Sequence, residues 1–198
     1  MKLEKHDQTH RENNFILGWY IDTDVCNKII DYFEKSEDKK QGISGDGNTK
    51  GVNEHIKKST DLVLRDKNLL LDYGSNLQQV FDEYIQIFPM VNHYNPWGVI
   101  ENVNIQRYYP KEGFFSWHTE RGGPYNKESA RHLVFMTYLN DVEKGGETEF
   151  YHQNIKVKPE KGLTIIWPAD WTHTHRGCVS ETDTKYIITG WASYYHKG

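Results

Sequence analysis

The apolar positions of the chain change period near Pro96. Before it they recur every three to four residues, and after it they alternate. Val25, Cys26, Ile29, Ile30 and Phe33 form one face of an amphipathic helix that Asp22 or Thr23 can cap. Leu70, Tyr73, Leu77, Val80, Phe81, Tyr84, Ile85 and Phe88 predict a second helix, ended by Pro89. Between them, 39–51 is polar and carries Gly42, Gly45, Gly47 and Gly51, as a mobile loop would. Beyond Pro96, Val103, Ile105, Arg107 and Tyr109 alternate with polar residues. Further strands are predicted at 114–120, 131–139, 147–151, 155–157, 163–167, 171–175 and 185–195. Turn signals such as Gly122-Gly-Pro, Gly145-Gly146 and Pro159-Glu-Lys-Gly162 separate them. The pattern predicts an α+β, mainly β protein: a β-sandwich or jelly roll with the N-terminal helices packed on one sheet. One domain over 1–198 accommodates this, with a helical support region at 15–95 and a β core at 99–195.

Composition narrows the class. The chain of 198 residues is 36% hydrophobic and 26% charged, which suits a folded, soluble protein. Its net charge of −4 gives no general attraction to nucleic acid, so no nucleic-acid partner is expected. No apolar run approaches the length of a membrane span, and residues 1–14 are too polar for a signal peptide. Two widely separated cysteines, Cys26 and Cys178, argue against a disulfide framework. A cytoplasmic location is expected.

The chemistry gathers in the second half. In His118-Thr119-Glu120, residues two apart on a strand project an imidazole and a carboxylate into the same space. A second histidine would complete the 2-His-1-carboxylate set that leaves coordination positions open on non-haem iron. Alone, a His-x-Glu on a strand is more often solvated. Trp171-Thr-His173-Thr-His175-Arg-Gly supplies two candidates of equal parity. Parity alone leaves the choice between His173 and His175 open. Lys185 opens a strand on which Thr189 and Trp191 share its face. Arg131 reads as a structural hydrogen-bond or ion-pair residue, and Gly145 and Gly146 as a tight turn.

Tyr109, His118-Thr-Glu120, Arg131, Tyr138-Leu-Asn140, Gly145-Gly-Glu-Thr-Glu-Phe150, His175, Lys185 and Trp191 follow one another at characteristic distances. In that order and spacing the chain resembles the 2-oxoglutarate/iron(II) oxygenases, in particular their prolyl 4-hydroxylase-like branch. The resemblance covers 104–195 closely. It implies a double-stranded β-helix and iron(II) held by His118, Glu120 and His175. It further implies 2-oxoglutarate as cosubstrate with O2, and ascorbate as an accessory reductant. Lys185 would pair with the distal carboxylate of 2-oxoglutarate, helped by the hydroxyls of Tyr109 and Tyr138. Thr189 and Trp191 would line the same pocket. Two departures stand out: the family's usual Asp is Glu120 here, and Cys178-Val179 stand where a proline is usual. By the resemblance, Asp at position 120 would restore the usual ligand.

The implied reaction is hydroxylation of a C–H bond with release of succinate and CO2. The branch points to a peptidyl proline in a peptide or protein partner. The loops 39–51 and 121–129 would flank the mouth of the site, with Trp117, Tyr125, Trp171 and Trp191 as aromatic walls. A free amino acid, a small metabolite or a nucleic acid is the alternative substrate. Outside the class, two His and one Glu also suit a zinc hydrolase, although no helical His-Glu-x-x-His is present and Lys185 then has no role. A non-catalytic jelly-roll binding module is the third reading.

Overall fold

Each helix begins where an aspartate caps it. Asp22 accepts from the amide of Asp24 and starts α1 (Thr23–Lys35), which buries Val25, Cys26, Ile29 and Phe33. Asp66 accepts from the amides of Asn68 and Leu69 and starts α2 (Lys67–Ile87), which buries Tyr73, Leu77, Val80, Phe81 and Tyr84. Phe88 caps its end, and Pro89 opens a 3-10 turn. The computed structural model describes residues 3–7, 9, 14–45, 50–123 and 126–195.

The strands are β1 (Glu4–Lys5), β2 (Leu17–Tyr20), β3 (Lys40–Gln41), β4 (Lys57–Lys58), β5 (Thr60–Val63), β6 (Trp97–Val99) and β7 (Asn104–Tyr108). They continue as β8 (Gly113–Phe114), β9 (Arg131–Tyr138), β10 (Thr148–Phe150), β11 (Ile155–Val157), β12 (Leu163–Pro168), β13 (His175–Gly177) and β14 (Lys185–Tyr194). Among the described residues the large antiparallel sheet runs β1-β2-β12-β9-β14-β7-β5-β3, with β6 beside the end of β14. A smaller sheet, β11-β10-β13, lies opposite, and β4 pairs with β8.

Strand periodicity divides the core in two. Ile105, Phe135, Ile166 and Ile188 face the helices and pack with α1 and α2. Val134, Met136, Ile165 and Trp167 point the other way, toward Phe150 and Val157 of the small sheet. The helices therefore cover one face of the large sheet. The other face meets the small sheet, and the functional cavity opens between them.

Two local expectations change. The N-terminal part is not purely helical, because β2, β3 and β5 extend the large sheet. Strands of two to four residues contain too few alternations to show a period, and they take their conformation from the strand they pair with. The segments 114–120 and 171–175 are also not regular strands. The first keeps only β8 and a single bridge from His118 to His175. The second is a 3-10 turn, Trp171–His173, leading into β13.

Candidate active site

A cavity of about 910 Å³ lies between the sheets, and His118, Glu120, His175 and Lys185 line it. His118 and His175 are brought together by the backbone, since each donates its amide to the other's carbonyl at 2.9 Å. Each ring has its Nδ1 2.9 Å from the carbonyl two residues earlier, Ser116 for one and His173 for the other. Donation there places the ring proton on Nδ1 and leaves the Nε2 lone pair facing the cavity. Phe114 stacks on His118 at 3.7 Å and fixes its plane.

Glu120 Oε1 lies 3.6 Å from His118 Nε2 and 3.5 Å from His175 Nε2. All three ligand atoms fall within 4.8 Å of one another. Burial pushes the Glu120 carboxyl upward, but the two imidazoles outweigh it and hold the group well below the usual carboxylate range. Burial, and then the neighbouring His118, lower His175, which keeps it neutral and able to ligate. Two imidazoles and one carboxylate converging from one side fit a divalent metal with open positions opposite.

His173, of equal parity in sequence, is not part of this group. The 3-10 turn rotates it away, and its Nε2 meets the carbonyl of Asn14 at 2.9 Å.

Lys185 stands further into the cavity. Its ammonium donates to the carbonyl of Gly146 at 2.7 Å, and no carboxylate pairs with it among the described residues. Burial lowers its pKa to about 8. Gly145 and Gly146 turn that carbonyl inward with φ of +75° and +73°, and a Cβ on Gly145 would lie 2.2 Å from the Val179 carbonyl oxygen. Thr189 and Trp191 also line the cavity, as their shared parity with Lys185 on β14 predicts.

The two tyrosines implied by the resemblance lie elsewhere. Tyr109 is 47% exposed and stacks under the Arg107 guanidinium, outside the cavity. On β7 the cavity residues are Asn104, Gln106 and Tyr108, while Ile105 and Arg107 face the helices, so Tyr109 has the wrong parity. Tyr108 takes the inward position, with the Lys185 ammonium 5.0 Å from its ring centre and its hydroxyl donating to Gln106 Oε1 at 2.6 Å. Tyr138 is fully buried behind Thr148, and its hydroxyl meets Thr148 Oγ1 at 2.6 Å and the Val157 carbonyl at 3.1 Å. With the Tyr138 hydroxyl engaged in the wall, Thr148 is the residue that lines the cavity. Tyr108 and Thr148 are thus functional candidates that spacing alone misses. The alternation along β7 could have identified the first, and the threonine of Gly-Gly-x-Thr the second.

The aromatic walls also differ. Trp117 and Trp171 are exposed and stand outside the cavity, and Tyr125 lies outside the described residues. The rings that line it are Tyr108, Phe114, Trp167 and Trp191. At the mouth the expected loops do meet: Ile43, Ser44 and Lys50 from one side face Gly122, Lys127 and Glu128 from the other. Lys50 Nζ bridges them with a 2.8 Å ion pair to Glu128.

Known proteins agree with this architecture. Residues 103–193 match the family model of the 2OG-Fe(II) oxygenase superfamily. Mouse prolyl 4-hydroxylase subunit alpha-3 is 26% identical over 145 residues, 68% of this chain, and the chain spans only 24% of that relative. The viral collagen prolyl hydroxylase of Paramecium Bursaria Chlorella virus-1, solved with 2OG, superposes with a TM-score of 0.67 at 16% identity, covering 93% of this chain and 98% of that one. A Trichoplax adhaerens prolyl hydroxylase in complex with a hypoxia inducible factor peptide gives 0.66 at 15% identity, covering 92% and 84%. At these identities the structural likeness is one of fold, the double-stranded β-helix.

Proposed function

We propose, from the match of residues 103–193 to the 2OG-Fe(II) oxygenase superfamily model, that the chain is an iron(II)- and 2-oxoglutarate-dependent dioxygenase that hydroxylates proline in a peptide. The observation that carries the reading is the convergence of His118, Glu120 and His175 in the same cavity as a buried lysine that has no carboxylate partner among the described residues. A zinc hydrolase would need the triad but leaves that lysine unexplained.

When bound, iron(II) with 2-oxoglutarate and O2 supplies the oxidising chemistry that converts a substrate C–H to C–OH and releases succinate and CO2. The chain's own residues do the rest. His118 Nε2, Glu120 Oε1 and His175 Nε2 would hold the metal from one side and leave the cavity side free. Lys185 would hold the distal carboxylate of 2-oxoglutarate as a compact point charge, with the Tyr108 ring beside it and Thr148 in the same lining. The apolar lining of Met136, Trp167 and Ile187 would keep water from the reacting atoms.

Three features support a peptide rather than a small metabolite as substrate. The cavity is large at about 910 Å³, its mouth is formed by two loops, and the curated relative is a prolyl 4-hydroxylase subunit. Cavity rings such as Trp191 and Phe114 offer flat apolar faces that suit a pyrrolidine ring. The test incubates the protein with iron(II), 2-oxoglutarate and O2 against proline-containing peptides and their alanine counterparts. A mass gain of one oxygen at proline, with equimolar succinate, is expected. Equal succinate release from both peptide sets, with no oxygen at proline, would overturn the prolyl assignment.

A further inference from the structure

Glu120 is one methylene longer than the aspartate its family resemblance leads one to expect, and the structure shows what the extra length does. The two carboxylate oxygens have separate partners. Oε1 faces His118 and His175 at 3.6 and 3.5 Å. Oε2 accepts from Trp191 Nε1 at 3.0 Å and lies 3.5 Å from Arg131 Nη1. The donors on the Oε2 side are themselves fixed. Arg131 also donates from Nη1 to the Glu120 backbone carbonyl at 3.0 Å. Its Nε and Nη2 grip both oxygens of Glu101 at 2.9 Å. Its guanidinium carbon sits 3.5 Å from the Trp191 ring centre. One arginine therefore sets the height of Glu120 in the backbone and the plane of the indole that holds its side chain.

We propose that Trp191 and Arg131 are positioning residues that hold Glu120 as a one-oxygen metal ligand, and that this clamp is built for glutamate and not for aspartate. The inference rests on the metal-site reading above and deepens it. A carboxylate with both oxygens free can close on a metal through both and take up a second coordination position. With Oε2 engaged by the indole N–H, only Oε1 is available, and the remaining positions stay open for cosubstrate. Aspartate would draw the carboxylate back by about 1.5 Å, one C–C bond. It could then reach the metal or the indole but not both, and the indole N–H would lose its acceptor. The clamp therefore predicts the opposite of the expectation that Glu120→Asp restores the site.

The test measures metal binding by itself, using Mn(II) and Co(II) added to the metal-free protein without cosubstrate. The set is the wild type, Glu120→Asp, Trp191→Phe and the double variant. Trp191→Phe keeps a ring under Arg131 while removing only the indole N–H, and a melting curve checks its fold. Trp191→Phe is expected to weaken metal binding by roughly ten- to a hundredfold, the usual range for a partner that orients a ligand. Its Co(II) visible spectrum should shift as the carboxylate gains freedom to bind through both oxygens. Glu120→Asp should weaken binding by a similar factor, and the tryptophan change should then cost little more in the aspartate background. Wild-type affinity and spectrum in Trp191→Phe, or equal or tighter binding in Glu120→Asp, overturns the clamp. Failure of the wild type to bind either metal overturns the metal-site reading itself.

Discussion

The deep end and the mouth of the cavity are built on different principles. In the deep end, polar groups are held by backbone or by buried side chains on long strands. Lys185 rests on the Gly146 carbonyl, each metal-facing histidine on a carbonyl two residues earlier, and Glu120 on Trp191. At the mouth, charged side chains from short strands and turns pair across the opening, as Lys50 does with Glu128 and Lys127 with Glu101. The first arrangement has few alternatives, because moving one group leaves another buried and unpaired. In the second, the exposed lysine of each pair can exchange its partner for water, while the carboxylates, Glu128 and Glu101, stay largely buried. The contrast assigns fixed chemistry to the interior and adjustable substrate contact to the rim.

The largest expected effect breaks the interior. His175→Ala should abolish metal binding and turnover with the fold retained, whereas His173→Ala, whose ring meets Asn14, should keep both. Metal titration and a thermal melt of the two variants decide this; full activity in His175→Ala would mean that the wrong histidine has been assigned.

Next comes the cosubstrate end. A charge-assisted contact contributes roughly 1.5–3 kcal/mol, so Lys185→Ala should raise the 2-oxoglutarate requirement roughly ten- to a hundredfold, at about 1.4 kcal/mol per decade. Metal affinity should stay as it was. The pH dependence follows from burial, which lowers Lys185 to about 8. Below that pH the free protein already carries the ammonium, so binding is flat. As pH rises through 8 the proton is lost and binding must take one up, so affinity falls by up to about tenfold per pH unit. The carboxylate then raises the lysine pKa in the complex. An anaerobic titration of 2-oxoglutarate across this range, repeated on the alanine variant, should show the fall in the wild type alone.

A smaller effect separates the two tyrosines. Tyr108→Phe should raise the 2-oxoglutarate requirement several-fold, by about 1 kcal/mol for one neutral hydrogen bond. Tyr109→Phe should leave it unchanged, because that ring lies outside the cavity under Arg107. If the two variants behave alike in a cosubstrate titration, parity along β7 is not what selects the contact.

The mildest change lies at the rim. Lys50→Ala should alter KM for a peptide while leaving the 2-oxoglutarate requirement alone, and should lower the melting temperature, because Glu128 is buried and loses its ion-pair partner. Steady-state kinetics with each substrate varied in turn would show whether the rim and the interior are as separable as their bonding suggests.

The sequence alone determined what depends on local period and order. The helical faces from Val25 to Phe33 and from Tyr73 to Tyr84, and the common face of Lys185, Thr189 and Trp191, follow from 3.6- and 2-residue repeats that no partner needs to supply. Tertiary structure decided what depends on a partner distant in the chain. β2 and β5 are strands because β12 and β7 offer them an edge. Tyr109 loses to Tyr108 because β7 turns its alternate residues toward α1, where Glu34 binds Arg107. Tyr138 does not reach the cavity because it lies buried behind Thr148, where its hydroxyl meets Thr148 and Val157. His175 is set apart from His173 by its bridge to His118, 57 residues away by their numbers in the chain, and by a turn whose rotation no two-residue repeat contains. Glu120 takes its place through Trp191 and Arg131, side chains that β14 and β9 bring beside it only once the sheet has formed.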